Sequence, residues 1–111
     1  MKQGDIALFS VRQANGQPKN RPVLLLKQMP PFNDWLVCGI SSQLRQECKG
    51  FDYIILDTDL TYTATGLRGS SLIRLGFLDV IPQNAFPGSI GKVDETVLKL
   101  LLKRLANHLL S

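Results

Sequence analysis

The chain has 111 residues, 44% of them hydrophobic and 20% charged, the size and balance of one folded domain, which excludes two independent cores and a charge-rich disordered chain. No apolar run approaches the roughly 20 residues needed to cross a bilayer, and the opening MKQGD turns polar before a signal-like stretch develops, so one cytoplasmic domain over residues 1–111 without membrane contact is expected. Thirteen basic side chains against nine acidic ones give a formal charge of +4, a tilt towards anionic partners that identifies none of them.

Residues 4–11 (GDIALFSV) set Ile6 and Leu8 against Ala7, Phe9 and Val11, the period of two of a strand with buried surface. Residues 12–20 (RQANGQPKN) have no apolar periodicity and carry Asn15-Gly16 and Pro18, which predicts an exposed, mobile hairpin loop. Residues 22–26 (PVLLL) read as a central strand opened by Pro22, where the missing N–H costs least. Pro30 and Pro31 then break the ladder, and residues 35–40 (WLVCGI) resume a buried strand. Residues 43–50 (QLRQECKG) fit a helical turn or a surface loop equally. Residues 53–56 (YIIL), 71–75 (SLIRL), 77–81 (FLDVI) and 88–91 (GSIG) complete a set of short strands separated by turns, with Arg74 on the face of Leu72.

From Asp94 the period becomes helical. Val97, Leu98, Leu101, Leu102, Leu105 and Leu109 form one broad stripe, Asp94 is the expected N-cap, and the acids near the start and bases towards the end suit the helix dipole. One amphipathic helix is predicted over residues 94–110, covering a small curled sheet or barrel. Leu100 and Leu110 lie at the stripe's margins, more apolar surface than one core face needs. Cys38 sits in an apolar run and Cys48 in a polar one, with no CxxC and no histidine at ligand spacing, so two reduced thiols and neither metal nor cofactor are expected.

The ordered segments GDI at residues 4–6, RPVLLL at 21–26, GISSQ at 39–43, GLRGSSLIRL at 66–75 and GSIG before a closing helix resemble the MazF/PemK (Kid) family of toxins over nearly the whole chain. The resemblance implies a mainly β, SH3-like barrel of the CcdB/MazF type with helices, assembled as a two-fold homodimer. It further implies metal-independent, sequence-selective cleavage of single-stranded RNA such as mRNA, and inhibition by a cognate antitoxin whose flexible tail occupies the RNA groove. Arg21 stands at the family's catalytic arginine, directly before the proline that opens the second strand. Ser41 stands where the family usually has threonine, keeping the hydroxyl without the methyl that helps fix its rotamer. Arg74 matches an arginine of the Kid branch, but the acid found there two residues later is Gly76, and the first loop has no histidine. RNA contacts are expected from Arg12, Lys19, Phe32, Gln43, Arg68 and Arg74.

Such cleavage needs deprotonation of the ribose 2′-OH, stabilisation of a pentavalent phosphorane and protonation of the leaving 5′ oxygen. A guanidinium suits the second of these roles, being always charged and offering a planar fork of donors to phosphate oxygens. That permanence makes it a poor base, so Arg21 fits an acid or electrostatic role and the base has no candidate. From local context alone, Arg21 reads as a surface arginine bracketing a strand and Ser41 as a strand-end hydroxyl bonding its own backbone; the resemblance reverses the first reading. Ser41 and Ser42 face opposite ways if extended, and the alignment favours Ser41. Trp35, Phe32 and Tyr62 are aromatics of a kind that stack on bases. Core packing suits Trp35 equally, whereas Phe32 lies in the proline-rich loop. His108, the only histidine, falls in the last helical turn, where it suits the helix C-terminus rather than a site. The competing readings are a CcdB-like toxin that poisons gyrase by protein binding and a degenerate relative that binds RNA without cutting it.

The surplus leucine surface on the helix and the family pattern both predict a homodimer. Light scattering at micromolar concentration and physiological salt should give about twice the 12.3 kDa of one chain; a particle of single-chain mass would rule the dimer out.

Overall fold

Alternating apolar residues give six strands of one curled antiparallel sheet: β1 (Asp5–Arg12), β2 (Pro18–Met29), β3 (Asp34–Ser41), β4 (Tyr53–Ile55), β5 (Ser71–Ile81) and β6 (Ser89–Lys92), ordered β4-β5-β3-β2-β1-β6. The computed structural model describes all 111 residues, Met1–Ser111. The outer strands β4 and β6 do not pair, so the sheet curls into a half-barrel. A one-turn helix α1 (Tyr62–Thr65), the long helix α2 (Glu95–Leu110) and two short 3-10 turns, Leu44–Gln46 and Gln83–Ala85, complete the fold. It is mainly β with a terminal helix, as the periodicities imply.

Both faces of the central strands are apolar, and each has its own cluster. On one face Ile6, Leu24, Leu26, Cys38, Ile40, Ile73 and Leu75 pack beneath Leu98, Leu101 and Leu105 of α2. Asp94 caps that helix, its Oδ2 accepting the Thr96 N–H at 3.0 Å. On the other face Ala7, Val23, Leu25, Trp35, Val37 and Ile81 gather with Phe86. No helix covers this second face, and the candidate site opens there. Of the helical stripe, Leu109 departs from expectation: it is 70% exposed, because α2 runs past the edge of the sheet and its last turn meets no core.

Three further elements differ from the sequence reading. Residues 12–20 form a hairpin whose loop is confined to residues 13–17, the ladder closing on either side of it with Arg12 opposite Pro18, Val11 opposite Lys19 and Ser10 opposite Asn20. Backbone pairing in a hairpin needs no buried side chains, so apolar periodicity misses it. The turn is held by the Gly16 N–H donating to the Gln13 carbonyl at 2.9 Å and the Gln17 N–H donating to Asn15 Oδ1 at 2.9 Å. α1 forms within a Thr- and Gly-rich stretch, closed by Gly66 at φ 69°. Residues 71–75 and 77–81 form one strand, β5, with a slip in the middle: Gly39 of β3 faces Arg74, but Cys38 faces Leu78, so residues 75–77 have no partner on β3.

A buried carboxylate holds that slip. Asp52 is only 6% exposed; its Oδ1 accepts the Leu75 N–H at 3.0 Å and its Oδ2 the Cys48 N–H at 2.9 Å. Arg104 of α2 donates to the Asp52 carbonyl at 2.7 Å, tying helix, turn and strand together. Because removing the carboxylate strands the buried Leu75 N–H and the part-buried Cys48 N–H, Asp52→Ala should lower the unfolding free energy by about 2 kcal/mol. Asp52→Asn, which keeps one acceptor, should cost less. Urea melts of the three proteins test this, and coincident midpoints would show that the slip holds without the acid.

Both cysteines are free; Cys38 is buried and Cys48 exposed. Burial first, and the Asp52 charge second, push the Cys38 thiol up to about 12. It therefore stays protonated and unreactive at pH 8. A thiol-specific alkylating reagent should modify one cysteine of the native protein promptly and the second only after denaturation, as read by intact mass; prompt double labelling would contradict the burial.

Candidate functional site

Arg21 and Ser41 become neighbours through strand register alone. β2 and β3 pair antiparallel with Val23 opposite Gly39, and continuing the ladder by a further two residues on each strand sets Arg21 across from Ser41. On its other side Arg21 faces Phe9 of β1. The guanidinium forms no hydrogen bond or ion pair within the chain, whose single salt bridge is the exposed Lys99–Glu95 pair. Ser41 Oγ accepts the Gln43 N–H at 3.0 Å, the local bond common for serine, which leaves its own O–H proton free to be donated.

Arg21, Pro22, Ile40 and Ser41 form the saddle between two hollows. The first, of about 390 Å³, lies on the face away from α2, floored by Val23, Val37 and Ile81 and walled by Phe9 and Phe77, with Arg74 and Asp79 at its rim. The slip in β5 builds that rim. It sets Phe77, 62% exposed, above Gly39, where a Cβ would stand 2.9 Å from the ring's Cδ1. The Arg74 guanidinium packs over the same ring, 5.7 Å from its centroid.

The second hollow, of about 670 Å³, is polar and basic, lined by Lys19, Asn20, Arg68, Ser42, Ser70 and Ser71 with Leu8 and Ile90. Its outer wall, residues 66–71, is braced from within. Tyr62 OH donates to the Leu67 carbonyl at 2.9 Å, the Leu67 N–H donates to Thr65 Oγ1 at 3.2 Å, and the Asp57 N–H donates to Ser70 Oγ at 2.9 Å. Gly66 and Gly91 let α1 and β6 touch: a Cβ on Gly66 would strike the Ile90 carbonyl, and one on Gly91 would strike the backbone of Ala64 and Thr65.

The structure thus brings together five of the candidates: Arg21, Ser41, Lys19, Arg68 and Arg74 all line the hollows. Three lie outside. Arg12 ends β1 and folds over the hairpin turn, its Nη1 donating to the Gly16 carbonyl at 3.1 Å. Gln43 flanks the saddle and reaches Ser41 through its backbone. Phe32, 81% exposed as its loop predicts, sits in the turn joining β2 to β3, at the end of those strands remote from Arg21. Trp35 is core, 3% exposed, Tyr62 is committed to the wall, and His108 packs at a tilt against Phe51, ring centroids 5.0 Å apart. Phe77 and Asp79 were not singled out by the sequence. Their one signal is an acid and an aromatic on the same face of the apolar run FLDVI, and the slip that aims them at the hollow is invisible in a period-two pattern.

Lys19, Arg21, Arg68 and Arg74 form no ion pair in the chain, and Asp79 is the one carboxylate lining either hollow. Unpaired cations around an apolar and a polar hollow suit an anionic ligand carrying flat apolar groups. No three His, Cys, Asp or Glu side chains lie close enough together to hold a metal ion.

Over residues 2–109 the chain matches the family model described as PemK-like, MazF-like toxin of type II toxin-antitoxin system. Among solved structures, the Mycobacterium tuberculosis toxin MazF-mt6 superposes with a TM-score of 0.68 over 95% of each chain at 18% identity, a likeness that shows the shared fold. Comparison with curated protein sequences finds no significant match. With a match across nearly its whole length, the chain belongs to the PemK/MazF family of toxins of type II toxin-antitoxin systems.

Proposed function

We propose that this toxin is an endoribonuclease that cleaves single-stranded RNA at selected sequences without a bound metal ion, with Arg21 and Ser41 at the reacting phosphate. The observation that carries this reading is the unpaired Arg21 guanidinium beside the Ser41 hydroxyl on the saddle between the two hollows. Family membership supports the substrate class. A strand of RNA laid across the saddle meets Lys19 and Arg68 with its phosphates on one side and an apolar hollow on the other.

In the reaction the ribose 2′-OH gives its proton to solvent water, a bond forms from the 2′ oxygen to phosphorus, the bond from phosphorus to the 5′ oxygen breaks, and the leaving 5′ oxygen takes up a proton from water. The products are a 2′,3′-cyclic phosphate and a protonated 5′-hydroxyl. Arg21 donates two N–H groups to the non-bridging oxygens as their charge grows, and Ser41 donates its free O–H to the same phosphate. Both groups stabilise the phosphorane; neither is the base. The protein acts in the cytoplasm as a homodimer, and a cognate antitoxin segment blocks the saddle by occupying the same hollows.

Cleavage of a long RNA in EDTA, with both fragment ends mapped, tests this reading. Arg21→Ala should slow cutting at least about a hundredfold, since a preorganised phosphate-facing donor contributes about 3 kcal/mol to such a transition state. Arg21→Lys should recover little, because an ammonium restores the charge without the planar fork. Ser41→Ala should cost less than Arg21→Ala, and Ser41→Thr should be tolerated. Equal rates for wild type and Arg21→Ala would remove Arg21 from the site. A wild type that cuts no RNA at all would replace cleavage with binding alone.

A further inference from the structure

The hollow beside the saddle differs from its basic neighbour: its floor is aliphatic, and the one carboxylate of the whole site stands with Arg74 at its rim. Asp79 sits opposite Val37, and Val37 lies four residues along β3 from Ser41, about 13 Å at about 3.3 Å per residue. Asp79 therefore stands towards the end of the hollow away from Ser41, where a base splayed from a phosphate at Arg21 and Ser41 would reach.

We propose that this hollow is the base-reading subsite of the toxin and that Asp79 selects guanine there. The proposal rests on the RNA-cleavage reading for its substrate class and adds the determinant of sequence choice. Phe9 and Phe77 offer flat apolar surface for a nucleobase, and both rings are held in place: Phe9 edge-on against Phe86 at 6.0 Å, Phe77 between Gly39 and the Arg74 guanidinium. Asp79 Oδ1 accepts the Val80 N–H at 2.8 Å, which fixes the carboxylate, and no cation pairs with it. An ionised carboxylate is acceptor-only. Among the four RNA bases, guanine alone presents two adjacent donors on its Watson–Crick edge, N1–H and the N2 amino group. Adenine and cytosine set a ring-nitrogen acceptor beside their amino group, and uracil flanks its single N–H with carbonyls. Arg74, on the same rim, supplies donors for the guanine O6.

The probes are fluorescent, fully 2′-O-methylated heptamers of uridine with G, A, C, U or inosine at the centre, whose blocked 2′ oxygens cannot attack. Binding is read by anisotropy at one fixed salt concentration. Wild type should bind the G heptamer at least about tenfold more tightly than A, C or U, and inosine, which lacks the N2 amino group, should lose at least about threefold. Asp79→Asn and Asp79→Ala should each bring the five probes within about twofold of one another. Arg68→Ala, by contrast, should weaken all five alike, as a phosphate contact does. Wild type binding all five equally, or Asp79→Ala keeping the G preference, would overturn the assignment. The two readings fail separately: a G preference without cleavage of unmodified RNA retains the subsite and discards the nuclease, whereas cleavage without a G preference discards the subsite alone. Failure to bind any heptamer discards the subsite, and failure to cut unmodified RNA as well discards both.

Discussion

The arrangement of the site depends on one buried hydrogen bond, from the Leu75 N–H to the Asp52 carboxylate. The slip leaves Leu75 without a partner residue on β3, and an unpaired buried N–H costs on the order of 1–3 kcal/mol. Asp52 supplies the missing acceptor, and residues 75–77 are free to leave the ladder. Leu75 turns into the core beneath α2, Arg74 and Phe77 face the other side, and Asp79 returns to the ladder opposite Val37. Without the slip, strict alternation along β5 would put Arg74 on the opposite face from Phe77 and Asp79. The carboxylate that shapes the rim lies outside both hollows.

The two faces of the sheet divide the work. One is sealed by α2, whose Leu98, Leu101 and Leu105 close a cluster of aliphatic side chains. The other is left half-covered, and its cluster of Val23, Val37 and Ile81 doubles as the floor of a hollow. Exposed apolar surface of this kind marks a binding surface more often than a packing defect. The ring of unpaired cations beside it fits that reading, since cations left without partners repel one another until an anion arrives.

The helix was legible in the sequence because its period and its Asp94 cap are both local. Arg21 and Ser41 were legible only through the family resemblance, since local context reads them as a surface arginine and a strand-end hydroxyl; the antiparallel register of β2 and β3 is what sets them side by side. Asp79 and Phe77 were not legible, because their orientation follows from a slip in pairing caused by a carboxylate 23 residues away from the N–H it satisfies. The apolar pattern breaks at Gly76, which suggests two short strands in place of one. Likewise, the resemblance expects an acid two residues after Arg74, where Gly76 stands, whereas the slip brings a different acid, Asp79, to the hollow that Arg74 lines. Leu109 failed in the opposite direction: the helical stripe predicts burial for as long as the helix lasts, but the sheet beneath it ends first.

This division also frees the candidate residues from a role in folding. Arg21 is exposed and bonds to nothing in the chain, Ser41 uses only an acceptor lone pair, and Arg74 touches little beyond the Phe77 ring. Their removal therefore leaves no buried group unsatisfied and opens no cavity, the two mechanisms behind most large losses of stability. Selection acting on these positions can then track binding and chemistry alone. Asp52 is the reverse case, remote from any ligand yet required for the slip, so a change there reaches the site through Arg74, Phe77 and Asp79 together. A family member that exchanged Asp79 for another side chain would keep the fold, the slip and the saddle, and would change only the chemistry of the hollow's rim. On the reading proposed above, a scaffold of this kind can alter the sequence it reads without rebuilding the saddle at Arg21 and Ser41.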